Sequence, residues 1–185
     1  MSAENKGAFG ALVFFIVFMG ASVAHGEMQF RQGWWKAELT GGLGVNATSH
    51  SDRTGDVLVT GVAEYEFPAA SHFTMGLRFV PLFLYEQDGE DDLVWGGGLG
   101  LAVRLYLLAR EYRGLYTELE SHGIVHENKI MNNSSNFNFL IAGGLGYRFR
   151  TGWHGAVKFE HISNAGLGKK NSGTDTISLA VGATF

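Results

Sequence analysis

From Trp34 onward the chain alternates apolar and polar residues with a period of two, the signature of strands with two unlike faces. Trp35, Ala37 and Leu39 interleave with Lys36, Glu38 and Thr40. Val57, Val59, Ala63 and Tyr65 do the same with Thr60, Glu64 and Glu66. Phe73, Met75, Leu77, Phe79, Phe83 and Tyr85 alternate with partners that include His72, Thr74, Gly76, Arg78 and Glu86. Trp95, Leu99, Leu101, Val103 and Leu105 stand opposite Gly96, Gly98, Gly100, Ala102 and Arg104. Further strands are expected over 115–125, 137–149, 153–163 and 177–185. That makes about eight strands, several of about ten residues or more, long enough to cross a bilayer at a tilt.

A soluble sandwich would show the same alternation, with its apolar face buried. Three features favour a barrel in a membrane. Aromatic residues gather near strand ends (Trp35, Tyr65, Phe67, Tyr85, Trp95, Tyr147, Phe149, Trp153), as in interfacial girdles. Longer polar connections at 46–55, 87–92, 126–135 and 164–174 alternate with tight turns near 68–71, 109–113 and 150–152. The chain ends on Phe185 after Ile177, Leu179, Val181 and Ala183, in the manner of outer-membrane barrels. The expected fold is all-β, an eight-stranded antiparallel transmembrane β-barrel.

Composition sharpens this. The 27 glycines against 2 prolines suit many strands, and 185 residues leave room for one domain. After residue 25 no uncharged apolar run nears the roughly 20 residues of a membrane helix. The absence of cysteine excludes a disulfide framework, a thiol nucleophile and thiolate metal sites. A net charge of −4 gives no basic field for nucleic acid. The start of the chain reads as a cleavable signal peptide: a short polar lead, an apolar stretch within 8–20, and Ser22-Val23-Ala24 as small residues at the cleavage spacing. This divides the chain into a signal peptide at 1–25 and a barrel at 26–185 whose last hairpin carries the candidate chemistry. In an interior only wide enough for side chains, Glu64, Glu66, Arg78, Glu86, Arg104, Glu118, Glu120, Lys158 and Glu160 are expected to form a charge-paired filling rather than a pore.

That chemistry lies in His161-Ile162-Ser163-Asn164-Ala165-Gly166-Leu167 and, beyond a polar loop, Asp175. A histidine and a serine two apart on a strand share a face about 6.6 Å apart, and a hairpin can bring an acid beside them. These are the groups of a Ser-His-acid hydrolase. In the stretches above the apolar face falls on odd numbers, so His161, Ser163 and Asp175 all face the lipid. Polar groups on that face are costly unless they sit near the interface or do work there. Glu160, the nearby alternative acid, has the parity that turns it into the barrel.

The H-x-S-N-A-G-L signature followed by an acid resembles the C-terminal signature of the PagL-type lipid A 3-O-deacylases, serine esterases built into outer-membrane barrels. The resemblance implies that Ser163 attacks an acyl ester of lipid A, that His161 moves the proton and that Asp175 orients the imidazole. It places oxyanion stabilisation or substrate positioning at Asn164 and Gly166. It also implies the bacterial outer membrane as location and lipopolysaccharide as partner, with no cofactor and no metal; self-association as a homodimer stays open. The usual acid of this family is glutamate. With Asp175 one methylene shorter, Asp175→Glu is expected to keep or raise activity. Two other readings are a non-catalytic structural or adhesion barrel and an esterase acting on phospholipid. Among the other histidines, His50, His72, His122, His126 and His154 lack ligand spacing, and the acidic group Asp88, Glu90, Asp91 and Asp92 reads as a solvated loop.

Overall fold

The computed structural model describes residues 32–87, 93–107 and 111–185. The expected signal peptide and the acidic group at 88–92 lie outside them. Eight strands, β1 (Trp34–Val45), β2 (Val57–Ala70), β3 (Phe73–Glu86), β4 (Leu93–Tyr106), β5 (Gly114–His126), β6 (Phe137–Arg148), β7 (Trp153–Ser163) and β8 (Thr174–Thr184), form a closed antiparallel barrel in sequence order. β1 closes on β8, with Ala37 opposite Ala183 and Val45 opposite Asp175. Closure leaves no unpaired strand edge, the condition for a sheet to sit in hydrocarbon. Both ends of the barrel sequence therefore meet at one rim, where Trp35 and Phe185 exchange backbone hydrogen bonds, and the longer loops gather at the other.

The alternation works as expected over most of the wall. Trp35, Leu39, Leu43, Leu99, Trp153, Leu179 and Val181 stand exposed, while Lys36, Glu38, Glu64, Glu66, Arg104, Glu118, Glu120 and Lys158 are buried inside. β3 breaks the rule. Its register with β4 slips between Val80 and Phe83, and a matching irregularity in β2 lies between Gly61 and Ala63. Pro81 has no N–H to give a ladder, so the chain bulges there and the faces exchange beyond it. Phe83 and Tyr85 consequently point inward and are fully buried, and Glu86 is exposed. The expectation that Phe83 and Tyr85 face lipid and that Glu86 fills the interior is corrected by this bulge.

The interior has three layers. At the terminal rim Tyr106 and Tyr116 pack with Tyr112, and Arg148 lies 5.4 Å from the Tyr106 ring. The middle is ionic. Glu38 accepts from Arg78 and Lys158, both at 2.7 Å, and lies 2.9 Å from Lys36. Arg104 bridges Glu64 and Glu118, donating to the latter from Nε at 2.9 Å, and Lys158 reaches Glu120 at 2.8 Å. Toward the loops the filling becomes apolar, with Leu58, Val62, Val80, Phe83, Ile124, Leu140 and Ile162 in one cluster. A void of about 10 Å³ lined by Thr60, Arg78, Glu120 and Glu160, among others, has room for roughly one water. The interior is a packed core, as expected of eight strands.

Candidate active site

At the loop rim, β7 and β8 set His161 directly opposite Asp175. His161 Nδ1 lies 2.7 Å from Asp175 Oδ1. Because a carboxylate can only accept, Nδ1 carries the ring proton and Nε2 is left as the basic nitrogen. Ser163 ends β7 on the same outward face as His161, opposite Phe139 of β6. Both side chains are partly exposed on the wall, as their parity requires. Among the described residues no hydrogen bond joins His161 to Ser163, and catalytic contacts of this kind are commonly looser before substrate arrives. Gly173, at φ +69°, keeps the space beside the ring open: a Cβ there would meet His161 Cε1 at 3.1 Å.

Asp175 shares the outward parity, yet its side chain is fully buried. The β1–β2 loop folds over it. The backbone N–H groups of Thr48 and Ser49 donate to Oδ2 at 2.5 and 3.0 Å, and the Thr48 hydroxyl lies 2.9 and 3.0 Å from the two carboxylate oxygens. That loop is fastened in turn. Arg53, with no exposed surface, donates from Nε to the Gly173 carbonyl at 3.3 Å and from Nη2 to that of Met131 at 2.5 Å, so one guanidinium ties three loops together. His50 N–H reaches the Ser172 carbonyl at 3.0 Å. Within the loop, Asn46 and the Thr54 backbone hydrogen-bond Asp52 and hold its carboxyl down at about 2. A lowered carboxyl stabilises above its ordinary value near 4 and ceases to as pH falls through 2, so this support is intact at neutral pH.

Asn164 is built in rather than presented. It has no exposed surface, and its side-chain amide donates to Asn133 Oδ1 at 2.5 Å and to the Lys170 carbonyl at 2.8 Å. Its backbone N–H donates to Asn171 Oδ1 and its own Oδ1 accepts from Gly166 N–H at 2.9 Å. The Asn164 amide and backbone N–H, the donors expected to face an oxyanion, are thus engaged elsewhere, as is the N–H of Gly166. What the network does is shape the turn after Ser163: Ala165 is held at φ +52°, unusual for a residue with a Cβ, and Gly166 follows at φ +80°. The Ala165 N–H has no acceptor among the described residues.

Thr48, Ser49 and Arg53 were invisible as site residues in the sequence. They are separated from Asp175 by more than a hundred positions and carry no motif; barrel closure alone brings them there.

The model of the lipid A 3-O-deacylase (PagL) family matches residues 17–184, which includes the whole barrel and the site. The chain belongs to that family. Among solved structures, the outer membrane enzyme PagL superposes with a TM-score of 0.59 at 15% identity, covering 80% of this chain and 98% of that one. The N-terminal barrel domain of Pseudomonas aeruginosa OprF gives 0.53 at 17% identity over 85% and 100%. A designed transmembrane β-barrel gives 0.52 at 11% over 85% and 99%. These likenesses concern the fold, which proteins of different function share. Among curated proteins none matches the sequence. Membership in the PagL family makes this an outer-membrane β-barrel and a lipid A deacylase.

Proposed function

We propose that this PagL-family barrel removes the 3-O acyl chain of lipid A as a serine esterase, through Ser163, His161 and Asp175. The observation that carries the reading is the single outward face at the loop rim on which a carboxylate-bound histidine and a serine stand two residues apart. With the loop rim in the outer leaflet and residues 1–25 serving as the signal peptide for export, lipid A already lies against that wall. The ester then reaches the serine with little loss of freedom, which is where much of the barrier reduction in such reactions originates.

In the first half-reaction Ser163 Oγ bonds to the ester carbonyl carbon as its proton passes to His161 Nε2. The imidazolium formed is stabilised by Asp175, and as the carbon–oxygen bond to the sugar breaks the proton goes to the departing sugar oxygen. Water then attacks the acyl-serine through the same histidine, releasing the fatty acid and restoring Ser163. The negative oxygen of the tetrahedral intermediates falls to the Ala165 N–H. Support for this comes from its lack of an acceptor among the described residues and from the turn that Asn164 and Gly166 impose around it; those two residues position the donor instead of donating.

A fluorophosphonate probe applied to the refolded protein tests the mechanism. The covalent adduct is expected on the peptide carrying Ser163 and to vanish in His161→Ala; an active enzyme whose adduct forms elsewhere, or not at all, would contradict it.

The contacts of Asp175 support a different expectation for the acid's length from the one drawn from the sequence. Asp175 already touches His161 at 2.7 Å while the β1–β2 loop occupies the far side of its carboxylate. One more methylene has nowhere to go without moving the loop or the ring. Asp175→Glu is therefore expected to lower kcat by about 10-fold or more, since sub-ångström to ångström misplacement of a catalytic group costs that order. Steady-state assays with detergent-solubilised lipid A read this directly, and an unchanged or raised rate would show that the loop yields freely.

A further inference from the structure

We propose that Thr48, contributed by the first loop of the barrel, is a positioning residue of the deacylation site that acts through Asp175; this rests on the Ser163–His161–Asp175 reading above. An aspartate carboxylate can swivel about its terminal torsion and present either oxygen, or neither, to an imidazole. Here it cannot. Oδ2 is taken by the N–H groups of Thr48 and Ser49, which fixes the plane of the carboxylate and leaves Oδ1 aimed at His161 Nδ1. The Thr48 hydroxyl sits across the pair, 2.9 and 3.0 Å from the two oxygens and 3.4 Å from His161 Nδ1. With a carboxylate that only accepts and an Nδ1 that carries its own proton, the hydroxyl hydrogen goes to Asp175.

The consequence is chemical as well as geometric. Three N–H or O–H donors from the loop and one from the histidine surround the carboxylate, so the charge that must stabilise the imidazolium is already solvated and oriented before the proton moves. Such preorganised groups cost no rearrangement at the moment of reaction. The arrangement also explains why a residue pointing from the lipid face of β8 is fully buried: the loop is its lid, anchored by Arg53 on the two neighbouring loops. Among the described residues Thr48 makes no hydrogen bond to Ser163 or to the turn at Ala165, and its hydroxyl lies closer to the carboxylate, at 2.9 and 3.0 Å, than to His161 Nδ1 at 3.4 Å, so its influence passes mainly through the acid.

The test is Thr48→Val and Thr48→Ser, each made in the native chain and in Asp175→Ala, with deacylation of purified lipid A followed at varied substrate concentration. Valine keeps the shape and the backbone donor but removes the hydroxyl; serine keeps the hydroxyl. In the native background Thr48→Val is expected to lower kcat by about 10- to 100-fold, the range for a lost hydrogen bond to a charged group, with KM unchanged. Thr48→Ser should stay within about 3-fold of native. In Asp175→Ala, whose residual rate comes from serine and histidine, Thr48→Val should cause no further loss. An equal loss in both backgrounds, a change confined to KM, or a failure of serine to rescue would overturn the proposal. Ser163→Ala assayed alongside separates the two readings: its inactivity upholds the triad whatever Thr48 does, while its retained activity would sink the triad and this proposal together.

Discussion

Ser163→Ala and His161→Ala are each expected to lower deacylation of lipid A by about 10⁴-fold or more while the barrel assembles as before. The nucleophile and base of such a site act as one unit, so removing either forfeits nearly all covalent catalysis. What survives is binding and the oxyanion donor, both independent of the two side chains. The barrel should not notice, because both residues sit partly exposed at the rim and neither belongs to the ionic interior. Heat-modifiable migration on a gel reports assembly, and release of fatty acid from purified lipid A reports the rate. A folded Ser163→Ala that still deacylates would remove Ser163 from the chemistry.

The second large effect is on stability and lies in the middle layer. Arg104 is fully buried, makes a paired contact with Glu64 through both terminal nitrogens and donates from Nε to Glu118 at 2.9 Å. Arg104→Ala leaves both glutamates short of a counter-charge in a space closed to water. Breaking a buried ionic network from one side costs on the order of 3–5 kcal/mol. Arg104→Lys should recover only part of this, since an ammonium cannot reproduce the planar fork between two carboxylates. Urea unfolding of the refolded proteins in detergent gives the midpoints, and a native midpoint for Arg104→Ala would mean that the network contributes orientation without stability. An exposed wall change such as Leu39→Ala should move the midpoint far less.

The barrel was legible because its rule is simple. A strand with one face on lipid and one on a polar interior must alternate, and Trp35 to Thr40 or Val157 to Glu160 display that alternation without exception. The same rule placed His161 and Ser163 on the outer wall. It failed at Pro81, where a bulge exchanges the faces of Phe83, Tyr85 and Glu86; parity has no memory of an inserted residue, and the slip shows only once β3 is paired with β2 and β4. The apolar character of the upper interior follows partly from that slip, since it turns Phe83 inward beside Leu58 and Ile124.

The site was half legible. His161 and Asp175 are fourteen residues apart on one hairpin, a separation that strand pairing predicts. Thr48 and Arg53 could not be found that way, because nothing in a loop's sequence states which strand end it will fold over. Asn164 was found for its place beside Ser163, but its side chain proved to be an internal brace: which donors of an amide remain free depends on Asn133 and Lys170, neither of which the motif contains.

Mass spectrometry of lipid A from cells expressing the protein, beside cells that lack it, reads the deacylation at its substrate. The expected result is a new species lighter by one ester-linked 3-O acyl chain, with every amide-linked chain retained. Identical lipid A profiles, with the folded protein present in the outer membrane, would contradict it.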